Sequence, residues 1–565
     1  MKSYKKNIYT WLACLASVAT VVYISSIFHY RIDLTQEKRF TLSNATTQML
    51  AALEDKVYVD VFLYGDLPAG FKKLANSTKE MLQSFKEYNP QQIILHFSNP
   101  LQNTTDSSQR KLIDSIYRLG LQPTNIHVQA KVGEEDRQRL VLPGALVHYK
   151  DRVVAVDLLK GVNQAGSFET LNNAEALLEY KFANAIDHVT RKRFPLLGYA
   201  VGHGEPLGYN VVDALKTLSK NYAVDTINIH TQAVISTDFD AMLIVKPIKP
   251  FTDDDKLKID QYVMHGGKVL WCIDNLYAEM DSLYHANKYV AFDRGLNLED
   301  ILFKYGVRIN TDLVQDIQSD KIPMVVGSMG NQPQTELLQW PYFPLLQGNA
   351  ASPITKNLDP ILSIFCNSID TVNAPGIQKT ILLSTSSNGR IISTPAIVSF
   401  ESLKIANDPN IFTKPNIPVA ILLEGKFNSL FAHRLTNSKK DSLSTLMKQP
   451  FAENSSSNKM IVIADGDILL NFVTETEGLL PMGMNRYTHT QYANVDFLLN
   501  SIDYLVNTNN ILETRSKGYM LRLLDLKKVD KEASLWQWVN IGLPIVSILL
   551  IGMLQGYLRK RSYKK

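Results

Sequence analysis

The residues best suited to chemistry lie in one short glycine-rich segment, Gly202-His203-Gly204-Glu205-Pro206. An imidazole can act as a base or a metal ligand near neutral pH, and a carboxylate two residues away could orient it. The other interpretation is that the glycines form a tight turn and the polar side chains satisfy its backbone groups. One histidine and one glutamate are too few for a metal site, so the segment favours structure over catalysis.

Other reactive side chains are weaker candidates. Cys272 lies between Trp271 and Ile273 in an apolar run, whereas a nucleophile elbow needs small residues at a sharp turn. We therefore predict a buried, structural cysteine. Asp465 and Asp467 follow another apolar run and could bind a divalent cation, although two carboxylates alone are weak evidence. The sequence has no Walker A, GxGxxG or zinc motif, so no cofactor or metal is predicted.

The segments around the glycine-rich turn are typical of a doubly wound parallel sheet. An apolar run precedes the turn and a helical pattern follows it, at 194–201 and 209–220. Thr252 and the acids after it predict the capped start of another helix. Further strands are predicted at 222–229, 241–245 and 268–273. Ligands of such sheets bind at the carboxyl ends of the strands, where the glycine-rich turn lies.

The predicted fold class is α/β, in two domains. Residues 31–190 alternate strands and helices and form the first domain. In it we expect a helix that begins after the N-cap Ser43, an amphipathic helix at about 72–88, a hairpin that turns at Lys150 and Asp151, and a long helix at 168–190. Residues 191–508 form the second domain, doubly wound and flavodoxin-like, with an insertion at about 286–455. Within the insertion we expect a loop rich in Pro, Ser and Gln at 320–360, and a polar linker at 437–459.

Two uncharged segments predict a membrane-anchored protein. Residues 8–28 and 536–558 are each long enough to cross about 30 Å of hydrocarbon as a transmembrane helix. The first has no clear cleavage site after it, which favours an uncleaved anchor. Two spans place residues 1–7 and the basic tail 559–565 on the same side, which we take to be the cytoplasm. The large body and its juxtamembrane connector, residues 509–535, then lie in the periplasm of a two-pass inner-membrane protein.

Charge and cysteine content add two further expectations. The net charge is only +4, and no basic cluster is interleaved with aromatic residues in the body, so nucleic acid is not an implied partner. Cys14 lies in the first predicted span, while Cys272 and Cys366 lie in the exported body. The latter two could form a disulfide, but sequence cannot decide whether they meet.

Four segments together are more specific than any single motif. The first two are 31–43 (RIDLTQEKRFTLS) and 202–205 (GHGE), and the third is 262–267 (YVMHGG). The fourth combines 464–467 (ADGD), 500–504 (NSIDY) and 515–517 (RSK) before the last span and basic tail. Over almost its full length the chain resembles the auxiliary components of ABC transporters from the gliding-motility system of Bacteroidetes.

The resemblance implies an extracytoplasmic subunit that partners a permease and an ATPase and is of substrate-binding type. It also implies that the second domain is similar to the class I glutamine-amidotransferase fold, although the elbow cysteine of that group has no counterpart here. We therefore expect a non-enzymatic protein, with Gly202, His203, Gly204 and Glu205 as candidate ligand- or partner-binding residues. Two alternatives stay open, a membrane-anchored hydrolase that uses His203 and Glu205 and a receptor that captures a small ligand at the turn.

Overall fold

The computed structural model describes residues 15–20 and 41–562, apart from 66, 102–105, 122, 129–136, 160–167, 281, 284–287, 330–331, 401–407, 508, 510 and 517–525. The chain divides into two compact units. One ends at Gly518 and contains all the described sheets, and the other begins at Tyr519.

A four-stranded sheet lies in the N-terminal part of the first unit. Its central strand β1 (Val57–Val61) runs parallel to β2 (Ile93–Phe97) on one side. On the other side it pairs antiparallel with β5 (Gly144–Tyr149), which turns back into β6 (Arg152–Asp157). The predicted hairpin turn at Lys150 is confirmed, and Lys150 takes the positive φ of 53° that such a turn requires.

Helices flank this sheet. α1 (Asn44–Ala51) begins where the sequence predicts, because the Ser43 hydroxyl accepts the backbone N–H of Thr46. α2 (Ala69–Tyr88) is the predicted amphipathic helix. The helix expected over 168–190 is two helices that meet at Leu177. The elements are α4 (Phe168–Ala176) and α5 (Leu178–Thr190), and sequence analysis missed α3 (Asp106–Arg118), β3 (Thr124–Val128) and β4 (Arg137–Val141).

A ten-stranded sheet forms the larger part of the unit. Its parallel half runs in the order β8-β7-β9-β10-β23, which in chain order is the 2-1-3-4-5 arrangement of doubly wound flavodoxin-like sheets. The mixed α/β class predicted from the sequence is confirmed. These elements are β7 (Leu196–Val201), α6 (Val212–Ser219), β8 (Ala223–Asn228), β9 (Ala241–Val245), α7 (Asp253–Met264), β10 (Lys268–Cys272), β23 (Asn454–Ile463) and α10 (Asn494–Val506).

The insertion between β10 and β23 continues the same sheet. Four antiparallel strands are added outward from β23, in the order β22, β19, β16 and β15. The loop expected at 320–360 is therefore wrong for much of its length, and the expected linker at 437–459 is a helix followed by the start of β23. The strands and helix are β15 (Ser319–Met329), β16 (Gln332–Gly348), β19 (Ile377–Ser384), β22 (Pro418–Asn428) and α9 (Asn437–Met447).

Shorter elements complete the insertion and the segment after β23. They include a helix and several two- to six-residue strands that pair locally. They are β11 (Leu276–Tyr277), β12 (Lys288–Asp293), α8 (Glu299–Tyr305), β13 (Val307–Ile309), β14 (Asp312–Asp316), β17 (Ile361–Leu362), β18 (Ile369–Thr371), β20 (Gly389–Ser393), β21 (Ala396–Ser399), β24 (Val473–Thr474) and β25 (Gly478–Leu479).

The central parallel strands lie in the core because both of their faces are covered. All five residues of β9 are buried, as are Trp271 and Cys272 at the end of β10. Continuous apolar runs of this kind are what a parallel sheet with two covered faces requires. Side chains of both large sheets belong to one hydrophobic cluster, so the carboxyl ends of the parallel strands are held on a rigid frame.

The described part of the second unit is one long helix, α11 (Leu526–Ser562). Its stretch Glu532–Leu558 is 27 residues long and apolar enough to cross a membrane, and among the described residues it is the one helix that meets both conditions. This supports a membrane helix at the C-terminal end of the chain. Of the predicted first span, 8–28, only residues 15–20 are described, and they are helical.

Candidate functional site

The carboxyl ends of β7 and β9 mark the topological switch point of the parallel sheet. β7 lies between β8 and β9, so the connections that follow β7 and β9 leave in opposite directions. Open α/β sheets bind their ligands in the crevice at this point. The two connections are joined by the His203 carbonyl oxygen, which accepts the backbone N–H groups of Ile248 and Lys249, both at 2.9 Å.

The predicted glycine-rich turn follows β7 directly. Gly202 and Gly204 have φ values of +119° and +83°, which only glycine adopts without strain. A side chain on Gly204 would also collide with Ile248, so the turn needs a glycine there for two separate reasons. Glu205 holds the turn closed, because its Oε2 accepts the backbone N–H of His203 at 2.7 Å.

The His203 ring is buried within the protein. Only 2 % of the residue is exposed, and the imidazole stacks on Phe251 with ring centroids 3.7 Å apart. Its Nε2 lies 3.2 Å from Asp255 Oδ2, and its Nδ1 lies 3.6 Å from Glu205 Oε1. Burial alone would lower the pKa of His203, but the nearby carboxylates of Glu205 and Asp255 outweigh burial and raise it. A ring enclosed in this way cannot reach a substrate in the adjacent crevice.

A cavity of about 360 Å³ opens at the switch point. We call it the switch-point cavity. Its apolar lining includes Ile248, Phe365 and Phe472, together with Gly204 and Pro206 of the turn. Its charged lining includes Lys246, Asp467 and Arg486. Its size and its mixture of apolar walls with a few charged groups are typical of sites for small ligands.

A larger cleft of about 870 Å³ lies at the turn between β5 and β6 and the ends of α1 and α5. Its charged side chains are largely paired with one another. Lys192 binds Glu54 and Arg191 binds Asp187. Because these charges already bind one another, the switch-point cavity is the stronger candidate for a ligand site.

Lys246 is the central charge of the switch-point cavity. It follows β9, has the left-handed φ of 45° and is 6 % exposed. Its Nζ lies 2.6 Å from Asp467 Oδ1, 3.0 Å from Glu279 Oε2 and 3.3 Å from Asp274 Oδ2. Burial by itself would lower the pKa of Lys246, but these three carboxylates raise it. Lysine therefore stays charged, and its strained backbone is tolerated because the surrounding contacts fix it.

Two aspartates predicted as a weak cation site complete this network. Asp465 Oδ2 accepts the Ser363 hydroxyl at 2.5 Å and the Ile364 N–H at 3.1 Å, and Asp274 accepts the N–H of Gly466. Gly466 packs so closely that a Cβ there would lie 2.7 Å from the Lys246 side chain. The carboxylates of Asp274, Asp465 and Asp467 lie close enough to hold a metal ion, but the Lys246 ammonium already lies beside two of them.

Excess negative charge makes the network sensitive to pH. Burial, and then the neighbouring Asp274, raise the pKa of Asp465 to about 7. Burial likewise raises the pKa of Asp467, although the nearby Lys246 opposes the shift. Four carboxyl groups, those of Asp274, Glu279, Asp465 and Asp467, thus share two cations, Lys246 and Arg294. This excess of negative charge favours a proton on the carboxyl groups near neutral pH.

We expect Asp465→Asn to change how stability depends on pH. An unfolded aspartic acid titrates near 3.9, so between about pH 4 and pH 7 the folded state binds more protons at Asp465 than the unfolded state. Its contribution to the free energy of unfolding therefore falls as pH rises through this window. Urea unfolding of both proteins at several pH values checks this, and parallel curves for wild type and variant would contradict it.

Cys272 lies where the sequence predicts, in a buried strand, with no exposed surface. Burial raises its pKa well above the ordinary value. Cys272 and Cys366 are both free and buried, so the structure contains no disulfide between them. We expect a Cys14→Ser, Cys366→Ser variant to react with a polar iodoacetamide only after unfolding, with the unfolded protein as the control. Rapid labelling of the folded variant would contradict a buried thiol.

Sequence analysis found the turn and the pair Asp465 and Asp467 but missed the rest of the charged network. Lys246 lies 221 residues from its partner Asp467, and Lys246, Asp274 and Glu279 carry no motif, so no local signal could have joined them. Asp255 was predicted as a capping residue, and it is: Thr252 and Asp255 form a reciprocal capping box. The same carboxylate also lies 3.4 Å from the Nδ1 of His230, which sequence analysis did not single out.

The family follows from a comparison with known families. Residues 195–501, more than half of the chain, match the family described as an ABC-type uncharacterized transport system, whose members are auxiliary components. The chain belongs to this ABC transporter auxiliary family. Residues 36–148 match a second family, a domain of unknown function. The first match confirms the ABC transporter auxiliary part of the resemblance, and a transport auxiliary role is consistent with a non-enzymatic protein.

Individual relatives add little to the family assignment. An uncharacterized protein of Borreliella burgdorferi is 20 % identical over 358 residues, which cover 60 % of each chain. The chain thus spans well under two thirds of this curated relative. Among solved structures, the mmIFT52 N-terminal domain has a TM-score of 0.29 at 13 % identity, covering 58 % of this chain and 99 % of that one. An exo-beta-1,4-mannosidase from an Opitutaceae bacterium has a TM-score of 0.19 at 9 % identity, covering 85 % of this chain and 54 % of that one. At such scores neither structure identifies a fold or an activity.

Proposed function

We propose that the protein is a non-enzymatic auxiliary subunit of an ABC transporter that binds an extracytoplasmic ligand or partner segment in the switch-point cavity. Its partners are the permease and ATPase subunits, and both ends of the chain anchor it to the inner membrane. We further propose that it is a GldG of the gliding-motility system, which the four resembling segments support. Family membership and the apolar C-terminal helix support this proposal. We also propose that the domain with the parallel sheet is related to the class I glutamine-amidotransferase fold.

The observation that carries the proposal is the state of the ionisable groups that line the switch-point cavity and of the buried network around its Lys246. Lys246 is held by three carboxylates, and Asp465 by Ser363 and the Ile364 N–H. A nucleophile or general base must reach the substrate with a free lone pair. Groups bound to one another in this way give a charged, shaped surface for recognition rather than a reactive centre.

The alternative of a hydrolase fits the geometry less well. His203 and Glu205 are close together, as a catalytic pair would be. However, His203 is stacked on Phe251, and Glu205 is committed to the backbone of the turn. The receptor alternative is compatible with the proposal, because Gly204 and Pro206 of the same turn line the cavity.

Photo-crosslinking in intact membranes tests the proposal. A photoreactive amino acid replaces Ile248 or Val473, which are both about half exposed and both line the cavity. Leu446 is similarly exposed but lies on α9, so it is the matched control. We expect adducts with a small ligand or a transporter subunit from the cavity positions alone. Equal adducts at Leu446, or none at the cavity, would contradict the proposed binding surface.

The proposed topology has its own test. Protease added outside spheroplasts should digest residues 31–535 while both terminal segments stay intact, because the body lies outside the cytoplasm. Lysed spheroplasts are the control for cleavage of the tails. Protection of the body in intact spheroplasts would overturn the two-pass topology without affecting the family assignment.

A further inference from the structure

Three side chains that could bind a metal converge beside the glycine-rich turn. His203 follows β7, His230 lies shortly after β8, and Asp255 is in the first turn of α7. The Nε2 of His203 and the Nδ1 of His230 lie 3.2 and 3.4 Å from the same atom, Asp255 Oδ2. All three ligand atoms lie within 4.8 Å of one another. Two imidazoles and a carboxylate are a common zinc ligand set.

The other side of the His203 ring provides independent support. Its Nδ1 and the Oε1 of Glu205 are both buried, neither has a hydrogen-bond partner, and they face each other at 3.6 Å. A neutral imidazole carries one proton, so one of its nitrogens must direct a lone pair at a carboxylate. Both ring nitrogens face a carboxylate favourably only if the ring carries two protons, or one proton and one metal ion.

The second arrangement matches a recurrent feature of metal sites. A histidine that binds a metal through one nitrogen usually donates the N–H of the other nitrogen to a carboxylate. Glu205 is in place to accept from His203 Nδ1, which leaves Nε2 to face His230 and Asp255. The GHGE segment thus supplies both a ligand and the residue that orients it.

We propose that His203, His230 and Asp255 form a structural site for a divalent transition metal of the zinc type, with Glu205 orienting His203. In a tetrahedral site with bonds of 2.0–2.1 Å, neighbouring ligand atoms are about 3.3 Å apart. The separations of 3.2 and 3.4 Å agree with this spacing. The site goes beyond the proposed transport function and does not depend on it.

The surroundings show how an ion enters and what opposes it. The side chain of His230 is 63 % exposed, so solvent reaches the site and a water molecule can supply the fourth ligand. The Asp255 Oδ2 atom also accepts the Thr252 hydroxyl at 2.6 Å and the Thr252 N–H at 3.1 Å. Lys258 Nζ lies 3.4 Å from the other oxygen, Oδ1, and disfavours a second cation. A bound ion would join the segments after β7 and β8 to the start of α7.

Metal titration of the full-length protein in detergent tests the proposal. After the protein has been stripped with a chelator, Zn²⁺ and Co²⁺ are titrated in separate experiments. We expect one ion per chain, the visible absorption of tetrahedral Co²⁺, and a higher Tm with Zn²⁺ because the ion binds the folded state. Glu205→Gln should weaken Zn²⁺ binding about 10- to 100-fold, as expected for the residue that orients a ligand.

His230→Ala is the decisive variant, because this exposed side chain can be removed while the buried groups remain. We expect loss of the Co²⁺ absorption and of the Zn²⁺-dependent rise in Tm. His96→Ala is the matched control, since His96 and His148 lie 3.4 and 3.0 Å from Asp60 in the first sheet. It should leave binding unchanged. Wild-type protein that binds no stoichiometric ion, or a His230→Ala variant that binds as well as wild type, would overturn the proposal.

Discussion

Lys246→Met should destabilise the protein more than any other single change considered for this chain. The substitution keeps most of the side-chain volume but removes the charge that holds Asp467, Glu279 and Asp274. Breaking a buried ion pair by removing one partner typically costs about 3–5 kcal/mol, because the remaining charge is left uncompensated. Urea unfolding of the detergent-solubilised full-length protein measures the change in the free energy of unfolding.

Two variants make this result specific. Lys192→Met removes an exposed lysine from its pair with Glu54 and should have little effect, since exposed pairs are screened by water. Adding Asp467→Asn to Lys246→Met should restore part of the lost stability by removing one uncompensated carboxylate. If Lys246→Met and Lys192→Met lower the free energy of unfolding by the same amount, the network around Lys246 does not stabilise the carboxyl ends of the parallel strands.

Gly204→Val should be the second most damaging change. Its φ of +83° is unfavourable for a β-branched residue, at a cost of about 1–3 kcal/mol. The new side chain would also overlap with Ile248, and overpacking of this kind adds about 1–3 kcal/mol. We expect a large fall in the free energy of unfolding together with loss of crosslinking at the switch-point cavity.

Gly266 separates the two causes. Its φ is +92°, but a Cβ there would meet no atom within 4 Å. Gly266→Val therefore carries the backbone strain without the collision, and it should cost clearly less than Gly204→Val. A Gly204→Val, Ile248→Ala double variant should regain the stability that Gly204→Val loses beyond Gly266→Val, because the shorter side chain removes the collision. Equal losses for the two valine variants would show that the contact with Ile248 contributes nothing.

Sequence analysis predicted the features that depend on neighbouring residues. β9 is a continuous apolar run, and its predicted bounds, 241–245, agree with the structure. Thr252 starts α7 through a capping box formed with the residue three positions later. Such signals are local, because a cap or a run of buried residues is encoded within one turn or one strand.

Sequence analysis failed where the decisive contacts are distant. The strands β15 and β16 contain Pro323, Pro333 and several glutamines, which read as a loop. Pairing between the two strands, and of β16 with β19, overrides that local preference. The contact between Lys246 and Asp467 likewise joins the ends of two strands, which no spacing along the chain reveals.

The position of the insertion has a consequence for how the protein is made. β10 pairs in parallel with β23, so Val269 lies beside Met460. During synthesis, β10 emerges long before β23 and until then has β9 as its neighbour in the parallel sheet. Until the whole insertion has followed, β10 presents an unpaired apolar edge, and such edges promote aggregation. We therefore expect the pairing of β10 with β23 to be a slow step in folding, because it closes so long a loop.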